Sequence, residues 1–218
     1  VIGNNAGRNG KGSIYVWAAG NGLEEGDNSN RDGFSNNIAT ISVTAVGKNG
    51  IQSYYAESGA NVLISAPSSD RSNGITTVTT PDWNILNQEW SGNLNDPITN
   101  NFGGTSSATP LVSGVISLIL QANPNLSWRE VMTIILQSAR KNDIYDSDWV
   151  INNSSDKHFT KIGDEYGYVN ETGYHINHKY GFGVIDATAA VKLALKWNIE
   201  NITLPNMIIS ESEWKLEN

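Results

Sequence analysis

Residues 104–110 read Gly-Thr-Ser-Ser-Ala-Thr-Pro and continue directly into an apolar helical run at 111–120. This order places Ser106 at the start of a helix. Small residues there allow a sharp turn, and the free N–H groups and the helix dipole favour an anion beside the hydroxyl. An acyl-transfer nucleophile needs such a position. A helix cap is the alternative, because serine and threonine also satisfy the unpaired N–H groups of a first turn.

A second candidate functional residue, Asn21, lies in the segment 18–22, which reads Ala-Ala-Gly-Asn-Gly. Residues 14–19 form an apolar, β-rich run, and the glycine turn that ends it offers Asn21 at the carboxyl edge of a parallel strand. Open α/β sheets bind their ligands at this edge. The Asn21 amide would donate a hydrogen bond to an oxyanion. A turn asparagine is the alternative, since Asn-Gly is a common turn sequence.

Together, these two blocks resemble the serine and oxyanion-hole segments of the subtilisin-like serine proteases. The matching residues are Ala19, Gly20 and Asn21 in the first block and Gly104, Thr105, Ser106, Ala108 and Pro110 in the second. Within that family the sequence resembles the kexin and furin branch, the proprotein convertases, from about residue 10 to residue 197. The segments that carry this likeness are 15–22, 27, 32–34, 55–57, 124–129 and 178–186.

The histidines set a limit on what this chain does alone. Subtilisin-like enzymes carry their triad in the chain order Asp, His, Ser, whereas His158, His175 and His178 all follow Ser106. The resemblance therefore implies a serine endopeptidase whose histidine and aspartate come from an N-terminal half of the catalytic domain. We expect 1–197 to be the C-terminal part of that domain and to be inactive as an isolated chain.

The loop 22–34 is rich in acidic residues. By themselves, such residues in a Gly- and Asn-rich loop are ordinary turn formers. The resemblance implies that Asp27 and Glu57 help to hold a calcium ion beneath the primary specificity pocket. Hard carboxylate oxygens suit calcium, which takes about six to eight oxygen ligands. Other groups must therefore complete the site.

The resemblance places Asp32 at the floor of the specificity pocket. There its carboxylate would accept the paired N–H donors of a substrate arginine, and an uncharged substrate side chain would leave it unpaired. The implied reaction is cleavage after Arg and less often Lys, with a preference for dibasic sites that rests on the family alone. The other substrate-binding residues implied are Ala18, Ala19, Gly20 and Thr105.

The composition is that of a folded, exported chain, with 39% hydrophobic and 17% charged residues. The sequence has no run of about 18 apolar residues, the length that would predict a membrane span. The absence of cysteine excludes disulfides, zinc thiolates and thiol catalysis. A net charge of −8 argues against nucleic acid and suits basic protein or peptide substrates. Because related animal enzymes carry cysteines near the asparagine, we expect a secreted or periplasmic bacterial protein, with an accessory domain, chaperone or propeptide as a further partner.

Hydrophobic periodicity predicts strands at 13–19, 40–46, 62–66 and 74–79, and helices at 107–121, 128–140 and 187–197. Their alternation predicts an α/β fold, and the resemblance makes it a subtilisin-like doubly wound, mostly parallel sheet with helices on both faces. The helix at 107–121 is apolar almost all round, which favours a buried central helix. Trp17, Trp128 and Trp197 are interpreted as core residues. Residues 198–218 are expected to be a linker towards a β-rich domain.

Two hypotheses remain. The chain is part of a calcium-dependent, kexin-like endopeptidase, or it is a non-catalytic subtilisin-like module that binds a basic peptide or a partner protein. The combination of Ser106, Asn21 and Asp32 in one chain favours the endopeptidase, because a binding module needs neither a reactive hydroxyl nor an oxyanion donor.

Overall fold

A parallel sheet forms the centre of the molecule. The computed structural model describes residues 2–79, 82–84, 89–91, 98–151, 159–162, 165–168 and 174–197. Strands β1 (Tyr15–Ala18), β2 (Thr40–Val46) and β3 (Val62–Pro67) pair in that order, and both pairings are parallel. Residues 41–46 of β2 are all buried, as expected for a parallel strand that is covered on both faces.

Helices cover both faces of this sheet. Helix α1 (Ile2–Ala6) lies against β1 through Gly3, which abuts the ring of Tyr15. Successive side chains of a strand point to opposite faces, and the next residue, Val16, packs on the core that holds α2 (Thr105–Ala122). Helices α3 (Trp128–Ser138) and α4 (Ala187–Lys196) contact α2 and each other. The predicted α/β architecture, a parallel sheet with helices, is therefore confirmed.

The segment around residues 74–79 forms a strand, as predicted, but it does not join the parallel sheet. Strand β4 (Ile75–Val78) pairs antiparallel with β7 (Ile98–Phe102), and β5 (Asp82–Asn84) pairs with β6 (Glu89–Ser91). Strand β7 leads directly to Gly103 and the start of α2. Two short antiparallel pairs complete the elements: β8 (Val150–Ile151) with β11 (His175–Ile176), and β9 (Phe159–Ile162) with β10 (Glu165–Tyr168).

Helix α2 is less enclosed than predicted. Its buried residues include Ala108, Val112 and Ile119, which face the sheet, whereas Leu111 and Leu118 are 41% and 47% exposed. Among the described residues, α2 is the one helix whose length and apolar composition would suffice to cross a membrane. Its contacts with all three parallel strands identify it as a core helix.

The three tryptophans that were predicted to be core residues differ in their exposure. Trp128 and Trp197 are buried, as predicted, but Trp17 is 43% exposed. Trp17 lies on the same face of β1 as Tyr15, opposite to the face through which Val16 packs on the core, and within the described part of the chain the ring stacked on it is that of Phe34. In the same part of the chain β1 pairs only with β2, so one edge of β1 is open. The predicted linker at 198–218 lies outside the described residues.

Candidate active site

Ser106 lies in the first turn of α2, at the mouth of a cleft. The helix begins at Thr105, two residues earlier than predicted, with Gly104 as its N-cap and no side-chain cap hydrogen bond. Ser106 is exposed, and it therefore does not fill the role of a capping serine. The cleft has a volume of about 450 Å³ and separates β1 from α2; its lining residues are Val16, Trp17, Ala18, Ser106, Thr109, Pro110 and Ser113.

Asn21 lies beside this turn, with its amide orientation fixed by Thr105. The Asn21 Oδ1 accepts hydrogen bonds from the Thr105 N–H at 2.8 Å and from the Thr105 hydroxyl at 2.9 Å. An oxygen is required at this position because both partners are donors there, and the Thr105 hydroxyl in turn accepts from the Gly20 N–H at 3.3 Å. The Asn21 Nδ2 is consequently left as the outward donor.

Two hydrogen-bond donors meet above Gly104. A methyl group on its Cα would lie 3.2 Å from Asn21 Nδ2 and 3.6 Å from the backbone nitrogen of Ser106. Gly104 has a φ of 80°, a conformation that side-chain-bearing residues rarely adopt. The glycine thus keeps a small space open between the Asn21 amide, whose Oδ1 lies 3.5 Å from the same point, and the backbone nitrogen of Ser106. Such a space can hold a developing negative charge.

The cleft lacks a proton acceptor of its own. Among the described residues that line it, every side chain is apolar, hydroxyl-bearing or indole, so none of them titrates. A serine hydroxyl needs an adjacent general base to become a nucleophile. Any base at this site must therefore be supplied from outside the described lining.

The residues predicted for calcium, Asp27 and Glu57, come together around Gly22. Glu57 is 6% exposed, and its Oε1 accepts the Gly22 N–H at 2.9 Å. A methyl group on Gly22 would lie 3.2 Å from that oxygen and 3.5 Å from Asp27 Oδ2. The same Glu57 carboxylate fills the space beside Gly20, which leaves no room for a side chain there.

This pair is a partial donor set for a hard cation. Asp27 also accepts the Asn28 N–H at 2.8 Å and lies 3.8 Å from the Arg31 guanidinium. Within the described residues, no cluster of three or more His, Cys, Asp or Glu side chains is arranged to hold a metal. The two carboxylates therefore fit calcium in chemistry but supply only a fraction of the ligands that it takes.

Asp32 lies apart from the Ser106 cleft. Its side chain is exposed, and its Oδ1 accepts the N–H groups of Phe34 at 2.7 Å and Ser35 at 2.9 Å. Asp32 is connected to the cleft through Phe34, whose ring stacks on the ring of the cleft residue Trp17 with centroids 5.0 Å apart. The structure thus does not bring the Asp32 carboxylate into direct contact with the serine.

The remaining predicted substrate residues differ in accessibility. Ala18 lines the cleft, whereas Ala19 and Thr105 are buried. Gly20 has a φ of 116° and is held between Glu57 and Thr105. Ala19 and Thr105 therefore offer almost no surface to a substrate, and their predicted substrate contacts stay predictions.

Comparison with known proteins decides the family. The model of the subtilase family matches residues 2–183. The chain belongs to the subtilase family. The rat protein "Proprotein convertase subtilisin/kexin type 6" is 36% identical over 191 residues, which are 88% of this subtilase chain and 17% of the relative. Furin-1 of Xenopus laevis is 34% identical over 191 residues, again 88% of this chain and 21% of the relative. The predicted likeness to the kexin and furin branch is confirmed.

Solved structures agree on the fold of this subtilase. The serine protease of Aeromonas sobria superposes with a TM-score of 0.70 at 26% identity, over 90% of this chain and 38% of that protein. The same protease in complex with its chaperone gives a TM-score of 0.69. The chain therefore spans well under half the length of the relatives that it matches.

The hydrogen bonds that hold Gly104 were not predicted from the sequence. The hydroxyl of Tyr55 accepts the Gly104 N–H at 3.1 Å and lies 2.8 Å from Ser68 Oγ and 2.9 Å from Ser69 Oγ. The Ser68 hydroxyl donates to the Gly104 carbonyl at 2.7 Å, and the Ser107 hydroxyl donates to it at 3.2 Å. No local sequence signal marks these hydroxyls, because they come from separate segments that meet only in the fold.

Proposed function

We propose that this chain is the serine-bearing part of a secreted subtilisin-like serine endopeptidase. The observation that carries the proposal is the arrangement above Gly104, where the outward Asn21 Nδ2 and the Ser106 backbone nitrogen lie 3.2 Å and 3.6 Å from one point, in the helix turn that bears the exposed Ser106. A module that only binds peptides has no use for two convergent donors at the helix end that bears a serine. Family membership supports the same reaction class.

The reaction that we propose proceeds through an acyl-enzyme. A histidine from an N-terminal half of the domain, oriented by an aspartate, takes the Ser106 proton while the hydroxyl oxygen attacks the scissile carbonyl. The Asn21 amide and the Ser106 N–H then hold the oxyanion. As the tetrahedral intermediate collapses, the histidine returns the proton to the leaving amine, and water later hydrolyses the ester.

The open edge of β1 supports a place for that N-terminal half. The edge borders the same cleft as Ser106, and unpaired strand edges readily accept a further strand. A strand added there would bring its flanking loops to the serine. On this proposal the isolated chain is inactive.

Specificity is proposed to be for Arg, and less for Lys, before the scissile bond, with dibasic sites preferred. The support is the exposed Asp32 carboxylate, whose Oδ1 is held by two backbone N–H groups and which is joined to the cleft through the Phe34–Trp17 stack. A carboxylate there would pair with the guanidinium of an arginine that extends from the cleft.

Calcium is proposed to bind at Asp27 and Glu57. When bound, it would neutralise the two carboxylates around Gly22 and so fix the loop that follows Asn21. The remaining ligands would come from carbonyls, waters or the N-terminal half. A chaperone, propeptide or accessory domain is a further proposed partner, since the Aeromonas sobria protease has been solved with a chaperone.

The test uses the chain joined to, or co-expressed with, the region that supplies the histidine and aspartate. Cleavage of a fluorogenic peptide that ends in Lys-Arg is measured with and without calcium, and the melting temperature is followed in the same samples. We expect cleavage after Arg that Ser106→Ala abolishes, while Ser117→Ala, a serine of the same helix, retains it. Correctly folded protein that binds the peptide without cleaving it would instead support the binding module.

A further inference from the structure

Both polar groups of the Gly104 residue are held by hydroxyls from beneath the turn. Its N–H donates to the Tyr55 hydroxyl at 3.1 Å. Its carbonyl oxygen accepts the Ser68 hydroxyl at 2.7 Å, the Ser107 hydroxyl at 3.2 Å and the Ser107 N–H at 3.1 Å. The backbone of this one glycine is therefore fixed on both sides by a small buried network.

Tyr55 is the centre of that network. It is 9% exposed, and its hydroxyl oxygen also lies 3.0 Å from the carbonyl oxygen of Ser69. A phenolic hydroxyl donates one proton and accepts at its lone pairs. With the Gly104 N–H as one fixed donor, the proton of Tyr55 is directed towards the serines at 68 and 69. A buried, satisfied network of this kind has one arrangement and resists movement.

The position of Gly104 sets the geometry of the proposed oxyanion hole. The Asn21 Nδ2 and the Ser106 nitrogen lie 3.2 Å and 3.6 Å from the same point above its Cα. A rotation of the Gly104 backbone would move the following peptide, and with it the Ser106 N–H and the serine itself. Because glycine has no side chain that restricts its backbone, Gly104 keeps its φ of 80° only if its N–H and carbonyl groups are held by other residues.

We propose that Tyr55 is a positioning residue for the subtilase reaction, which holds Gly104 so that the Asn21 and Ser106 donors are preorganised for the oxyanion. This inference rests on the proposed function. Tyr55 touches neither substrate nor reacting atoms, and it acts through Gly104. Loss of its hydroxyl removes the shorter of the two hydrogen bonds from the Gly104 N–H and leaves only the Ser69 hydroxyl, at 3.4 Å. A misplacement of about 1 Å at a reacting group costs about a hundredfold in rate.

The experiment uses the intact active enzyme with the variants Tyr55→Phe and Tyr54→Phe. Tyr54 is the matched control, because its ring meets Tyr55 edge-on at 5.0 Å while its hydroxyl makes none of the Gly104 contacts above. We expect Tyr55→Phe to lower kcat about 10- to 100-fold with KM changed less than about twofold. Tyr54→Phe should match the wild type. The concentration of active enzyme is determined by active-site titration, so that unfolded protein does not lower the measured kcat.

A transition-state analogue separates positioning from general stability. A peptide aldehyde ending in Arg forms a tetrahedral adduct with the serine, and we expect its inhibition constant to rise in Tyr55→Phe by the same factor as kcat/KM falls. If Tyr55→Phe does not fold, Ser68→Ala, which removes the hydroxyl between the Tyr55 hydroxyl and the Gly104 carbonyl, is expected to give the same pattern at smaller size.

The outcomes keep the two proposals apart. An active wild type with unchanged kcat and aldehyde affinity in Tyr55→Phe, or in Ser68→Ala where that variant decides, overturns the role of Tyr55 and leaves the endopeptidase standing. A folded wild type that neither cleaves the peptide nor reacts with a fluorophosphonate at Ser106 overturns the endopeptidase itself.

Discussion

The orientation of one amide group decides whether Asn21 can serve an oxyanion. Thr105 uses its N–H and its hydroxyl on the Asn21 oxygen, at 2.8 Å and 2.9 Å, and so turns the Nδ2 outward. An aspartate would keep both of these bonds but would have no proton to give. The Thr105 contacts therefore matter for the direction of the donor as much as for packing.

We predict that Asn21→Leu lowers kcat about 10²- to 10³-fold with little change in KM, the loss seen when one oxyanion donor is removed from a subtilisin. The reason is that the donor acts on the charge that develops in the transition state and has little to bind in the ground state. Steady-state kinetics on an Arg substrate measure both constants. Asn28→Leu, in the same loop, provides the control, and a rise in KM at constant kcat would contradict the oxyanion role.

At the scale of elements, local patterns predicted most of the regular structure. Strand β2 occurs at the predicted residues 40–46, and α3 begins at the predicted Trp128, after a Ser127–Glu130 capping box. The predicted helix 107–121 missed Thr105 and Ser106 at its start, because they read as turn residues, and Ala122 at its end. Asp186 caps α4 by accepting the Ala189 N–H at 2.9 Å.

The partners of these elements were harder to foresee. The antiparallel pairing of β4 with β7 depends on a segment about twenty residues away, and the exposed ring of Trp17 depends on which face of β1 packs on the core. Sequence placed Ser106 and Asn21 each at the end of its own element, and the structure brings them together. Their catalytic roles stay predictions. The Tyr55 network was out of reach because hydroxyls carry no periodic signal.

We predict that Ser127→Ala destabilises the protein by about 1 kcal/mol, the usual cost of a lost N-cap. The Ser127 hydroxyl accepts the Glu130 N–H at 3.3 Å, and the Glu130 carboxylate returns to the Ser127 N–H at 2.7 Å and also accepts the Trp197 indole N–H at 3.1 Å. The cap thus ties α3 to the end of α4. Thermal unfolding should show a drop of about 2–4 °C.

Ser117→Ala is the matched comparison for this prediction. Its hydroxyl only bonds back to the Ser113 carbonyl within α2, at 3.0 Å, and alanine is the better helix former. We expect no loss of melting temperature there. Equal losses in Ser117→Ala and Ser127→Ala would show that the capping box contributes nothing specific.

At the scale of the whole molecule, one charged network joins the loop at 143–149 to the segment before α4. The Lys179 ammonium lies 2.8 Å from carboxylate oxygens of both Asp146 and Asp148. These contacts raise the pKa of Lys179. Burial works to raise the pKa of Asp146, but hydrogen bonds from Lys179, Asp148 and Asn177 outweigh it and hold that pKa below its usual range.

The two shifts define a pH window for the stability of this network. A lysine whose pKa is raised by folding stabilises below its ordinary value of about 10.4, and that contribution is lost as the pH rises through the folded pKa. An aspartate whose pKa is lowered stabilises above about 3.9, and its contribution is lost as the pH falls through the folded pKa. Burial raises the pKa of the adjacent Tyr180 to about 12, so this tyrosine stays neutral across the window.

We therefore predict that Lys179→Met lowers the melting temperature by several degrees between about pH 5 and pH 9, because it leaves the largely buried Asp146 carboxylate without its cation. The difference from the wild type should shrink below about pH 4, where Asp146 takes up a proton in the unfolded chain before it does so in the folded one. It should also shrink above about pH 10, where the lysine of the unfolded chain begins to lose its proton while folded Lys179 keeps its own. Melting curves of both proteins across this range measure it. Lys48→Met, on an exposed turn, controls for the loss of one positive charge. A difference that stays constant from pH 3 to pH 11 would mean that packing of the lysine stem, rather than its charge, stabilises this part of the fold.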